Sequence, residues 1–100
     1  MKIDLTAPIN TIEGEPMKNE QGSDVTLRQV VQTAALATLE RDHQVSAEEK
    51  VALFNIATEA REDEVDWSPE TLSRIRARIG AKFGPAIVGP AFQLLDPKQA

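Results

Sequence analysis

Three times in this chain a small hydroxyl side chain stands directly ahead of an apolar run with helical spacing: Thr26 before LRQVV, Ser46 before AEEKV and Ser68 before PETLS. A hydroxyl there accepts an amide that the first helical turn leaves without a partner. Gln29 and Glu49 stand three residues after Thr26 and Ser46, where a reciprocal bond closes the helix start. Pro69 takes the first helical position, where its missing amide costs nothing. These starts predict helices over 27–40, 47–61 and 69–83.

The apolar residues say which side of each helix is covered. Leu27, Val30, Val31, Ala34 and Thr38 form one stripe of the first helix, with Ala35 beside it, while Leu36 projects from the opposite side and needs a second cover. On the second helix Ala47, Val51, Phe54, Ala57 and Thr58 line one side, and Leu53, Ile56 and Ala60 widen the apolar arc to most of the circumference. A helix apolar over so wide an arc is expected at the centre, between the others. The third carries Leu72, Ile75, Ile79 and Phe83 and is broken by Gly84 and Pro85. In the last segment, GPAIVGPAFQLLD, a second Gly-Pro pair predicts either a kinked helix or a turn feeding a helix from Pro90 to Leu95. Both readings bury Ile87, Val88, Phe92 and Leu95.

Ahead of the helices, KIDL alternates apolar and polar residues, and Ile12 and Met17 flank Gly14 and Pro16 as the arms of a hairpin do. No internal repeat is evident. The fold class expected is therefore mainly α: three to four short helices packed as an orthogonal or irregular bundle, preceded by an extended N-terminal arm or short β-hairpin. One domain over 1–100 accommodates this, with the arm or hairpin at 1–24, the helical core at 25–95 and a frayed tail at 96–100. An apolar fraction of 41% and a charged fraction of 27% are ordinary for a globular chain.

Much chemistry is excluded by residue type. Without cysteine there is no disulfide, no thiolate ligand and no thiol nucleophile. His43 is the single histidine, so a zinc site would need carboxylates for every other ligand, and a serine triad has no Gly-x-Ser-x-Gly elbow to use. No glycine pattern forms a phosphate cradle. The acidic run EAREDEVDW invites a calcium reading, but a twelve-residue loop begun at Asp63 has Ser68 where glycine is required and Arg74 where glutamate is. The expectation is no enzyme, no metal and no cofactor. Without a signal-peptide-like start or a membrane-spanning apolar run, a cytoplasmic location with no membrane contact is expected.

Charge is unevenly distributed. The net value is −5, yet 67–100 holds five basic and two acidic residues, and RIRARIGAKFGP sets arginines at 74, 76 and 78. On a helix these fan out: Arg76 borders the apolar stripe, while Arg74, Arg78 and Lys82 face water or the acidic run. A nucleic-acid-binding regulator using Arg74, Arg78 and Lys82 on the 69–83 helix is the alternative function. The expectation runs against it, because EDEVDWSP is longer than a helix-turn-helix connection and would set carboxylates near phosphates.

The leading expectation is binding to a protein partner, homodimerisation included, through apolar side chains that three short helices do not cover: Leu36, Leu39, Ile56, Ile87 and Phe92. Trp67 belongs to the core instead. Together, MKIDLTAPI, the turn EGEP, the polar run before TLRQVV and the closing GPAFQLLD resemble small uncharacterised proteins encoded by tailed phages and bacterial prophages. That resemblance implies a phage or prophage accessory protein in a bacterial host, with a tail-assembly chaperone or other assembly factor as a concrete form. It carries no site residues across.

Overall fold

The computed structural model describes residues 2–37 and 45–95. Its elements run β1 (Ile3–Asp4), α1 (Leu27–Leu36), α2 (Ala47–Glu59), β2 (Glu64–Val65), α3 (Pro69–Lys82) and α4 (Pro85–Leu95). Each expected cap forms: the side chains of Thr26, Ser46 and Ser68 accept the amides of Gln29, Glu49 and Thr71. The helices end earlier than expected. Ala37 is extended and stops α1; Thr38, Leu39, His43 and the 96–100 tail lie outside the described residues. α4 is one helix that continues through Pro90.

The N-terminal segment forms a closed turn of backbone rather than a free arm. The Ile9 amide donates to the Val25 carbonyl (2.7 Å), Val25 to Met17 (2.8 Å) and Met17 back to Ile9 (2.7 Å). Three extended segments eight residues apart thus pair in a triangle, with bridges at Pro8–Thr26, Asn10–Pro16 and Lys18–Asp24. Its two corners are built alike. Thr11 donates to Glu15 and accepts from Gly14; Asn19 donates to Ser23 and accepts from Gly22. Gly14 and Gly22 have φ of 87° and 82°, the left-handed region that costs other residues a Cβ clash. So INTIEGEP and MKNEQGSD are two copies of one structural unit, an internal repeat where none was evident in the sequence.

The triangle turns Ile9 into the core, with Met17 and Val25 packed against it. Before it, β1 pairs antiparallel with β2, Ile3 opposite Val65 and Asp4 opposite Glu64. Ile3 and Leu5 are buried as deeply as any helical residue. The segment is therefore a structural part of the core.

The central helix is α1, not α2. It packs against α2, α3 and α4 and buries Leu27, Val30, Val31, Ala34 and Ala35. From α3 come Ile75 and Ile79, and from α4 Ala91 and Leu95, while Leu72, Phe83, Ile87, Val88 and Phe92 are partly buried around them. Trp67 is buried as expected, its indole N–H donating to Glu59 Oε2 at 2.6 Å.

Two arginines fix the packing by capping helices other than their own. Neither α1 nor α2 has a basic residue in its last turn. Arg28 of α1 donates to the Ala60 and Glu62 carbonyls at the end of α2 and pairs with Asp63 (2.6 Å). Arg78 of α3 donates to the Ala34 and Ala37 carbonyls at the end of α1. A cation at each helix C-terminus satisfies carbonyls that have no intrahelical donor and opposes the helix dipole.

Candidate interaction surface

The register of α2 on α1 decides which of its apolar residues meet water. Arg28 reaches Ala60, and one turn along Gln32 reaches the Ala57 carbonyl (3.2 Å), so the helices run antiparallel. That register turns Leu53, Ile56, Ala57 and Ala60 inward. Val51 and Phe54, expected on the covered side, lie on the flank that α1 leaves open and are 58% and 61% exposed. A further turn along the Arg28–Gln32 row of α1, Leu36 is 59% exposed.

The sequence-derived contact set is thereby divided. Leu36 is exposed, whereas Ile56 is 3% exposed and belongs to the core, because the side of α2 that carries it faces α1. Ile87 and Phe92 are partly buried against the core under their own helix. Leu39 lies outside the described residues. Sequence reasoning missed Val51 and Phe54, since on a helix apolar nearly all round nothing local tells the open arc from the covered one. It also took Ile12 for a hairpin arm, but this residue stands 99% exposed at a corner of the triangle, over a groove of about 780 Å³ walled by Pro85, Ala86 and Gly89 of α4.

The basic row is divided too. Arg78, expected to face water or the acidic run, is 5% exposed and engaged with the carbonyls of α1. It is buried because α3 packs against α1 where that helix ends, a contact that periodicity within α3 does not reveal. Arg74 donates through Nε to Glu49 Oε1 at 2.6 Å, a bond that raises its already high pKa, with Glu70 4.0 Å away. These side chains border a depression of about 470 Å³ between α2 and α3, so acids and bases alternate around it. Lys82 is exposed at the far end of α3.

Among the described residues no cluster of three or more histidine, aspartate or glutamate side chains converges as a metal site requires. No helix there is long and apolar enough to cross a membrane. The side chain of Asp4 is held below the usual carboxylate range, first by the Thr6 hydroxyl and then by the Thr6 amide. Comparison with models of protein families, with curated proteins and with solved structures found no match to this chain.

Proposed function

We propose that this protein acts by binding another protein through the flank formed by Leu36, Val51 and Phe54, as a phage or prophage accessory factor. One observation carries the reading: three large apolar side chains of the packed α1–α2 pair are each more than half exposed, while Leu27, Val30, Val31, Leu53 and Ile56 of the same two helices are buried. Such side chains lose solvent contact only against a partner surface, and contiguous apolar patches on small domains mark interaction sites. A tail-assembly chaperone or another assembly factor is the concrete form, resting on the resemblance of the chain to tailed-phage and prophage proteins.

The test is site-specific photo-cross-linking in bacteria carrying the parent phage or prophage. A cross-linker at Phe54 should give an adduct of discrete mass, and one at Ala81, exposed on α3, should not. No adduct from position 54, or equal labelling from both positions, overturns the proposal. Identification of the adduct as a tail or capsid component would support the assembly role.

A further inference from the structure

Three residues from distant parts of the chain each bond to both of the others. The Leu5 amide donates to the Asp63 carbonyl (2.8 Å), the Arg28 amide to the Leu5 carbonyl (3.0 Å), and Arg28 Nη2 to Asp63 Oδ1 (2.6 Å). The ring ties together the N-terminal segment, the start of α1 and the link that follows α2. Moving any one of the three away breaks two bonds at once.

Residues 3–7 also close the start of α1, whose first amides have no partner inside the helix. Thr26 Oγ1 accepts the Gln29 amide, while those of Leu27 and Arg28 go to the carbonyls of Ala7 (2.9 Å) and Leu5. Ile3 and Leu5 are buried, and β1 touches α4 as well as β2. The same segment is held along its edge by a ladder of only two residues, and the Asp63 side chain that anchors the ring is 80% exposed. From Pro8 onward the chain belongs to the triangle, whose bonds among Ile9, Met17 and Val25 use none of these groups. Two bond networks therefore meet at Ala7–Pro8 and share no hydrogen bond.

We propose that residues 3–7 are a strap that opens as one unit, turning at Ala7–Pro8 while the triangle stays closed. Opening withdraws Ile3 and Leu5 from the core and frees the edge of β2 together with the amides of Leu27 and Arg28. Because every member of the ring holds both others, half-released positions forfeit most of the bonds and regain little freedom. The strap is closed or open, and its opening precedes that of the helical core.

Amide hydrogen exchange of the full chain, followed residue by residue by NMR at low denaturant, tests the proposal. Leu5, Leu27 and Arg28 should report one opening equilibrium, and Ile9, Met17 and Val25 a second, less frequent one. Asp63→Asn alters an exposed side chain and keeps the backbone carbonyl that Leu5 uses. It should speed exchange at all three strap amides by one common factor of about two to five, the range for an exposed ion pair. Leu27 is decisive: its amide bonds to Ala7 and touches neither Asp63 nor the guanidinium, so a change there reports the shared opening. Three unequal openings within the strap, an unchanged Leu27 rate in Asp63→Asn, or a single opening common to strap and triangle would each overturn the proposal. The first and third are read from the parent chain, without any variant.

Discussion

Arg78 Nε lies 3.2 Å from the carbonyl oxygen of Ala34, forty-four residues earlier in the chain, and the same guanidinium also holds the carbonyl of Ala37. A side chain from the third helix thus closes the end of the first. The planar fork of arginine can span two carbonyls, and in this buried setting no water replaces it.

Replacing this guanidinium tests the arrangement directly. Arg78→Met keeps the stem but leaves buried carbonyls unpaired, and should cost about 3 kcal/mol in urea unfolding. Arg78→Lys, with one compact ammonium, should fall between the variant and the parent. A loss below about 0.5 kcal/mol for Arg78→Met would show that the cap contributes nothing.

The orientation of α2 can be checked with two neighbouring residues. Ile56→Ala removes buried methyl groups and should destabilise by about 2 to 4 kcal/mol. Phe54→Ala, at a 61% exposed position, should stay within about 0.5 kcal/mol of the parent. A reversed pattern would place the other face of the helix inward.

Much of this architecture was legible beforehand, and the reasons differ by element. Helix starts are local events: Thr26, Ser46 and Ser68 each bond within their own first turn, so the sequence near them suffices. The end of α1 is not local, since its carbonyls are closed by Arg78 from α3. The same applies to Ile56 and Phe54. Both fit an apolar stripe, and only the antiparallel partner selects between them. The paired corners escaped notice because an eight-residue unit that shares little more than a glycine and an apolar residue leaves a faint trace.

Those corners make a matched pair of predictions. Gly14→Ala and Gly22→Ala should each cost about 1 kcal/mol, through the left-handed backbone alone, because a Cβ at either site meets nothing within 4 Å. Gly80→Ala, inside α3 with equally open surroundings, should instead stabilise by about 0.5 to 1 kcal/mol. Chemical unfolding of the three variants reads the contrast.

Asp4 gives the fold an acid-side dependence. Its folded pKa lies below its unfolded value, so its contribution to stability is present above the ordinary carboxylate pKa and disappears as pH falls through the depressed one. Carboxyl chemical shifts followed by NMR should place the Asp4 midpoint below that of a free aspartate, and Thr6→Ala should return it toward the ordinary value. An unchanged midpoint in Thr6→Ala would refute the assigned cause.

Duplex DNA gives the last expectation. With Arg78 buried and Arg74 bonded to Glu49, fluorescence anisotropy at low salt should register no binding that Arg74→Ala and Lys82→Ala remove. A steep salt dependence lost in those variants would restore the basic helix as a nucleic-acid surface.

The pairing of Ile3 with Val65 also orders events when the chain emerges from a ribosome. The triangle closes within residues 8 to 26, while the first strand has no neighbour until the stretch after α2 has been made. Ile3 therefore stays without its strand partner until the chain has passed through α1 and α2, and this long-range pairing is among the last contacts to form.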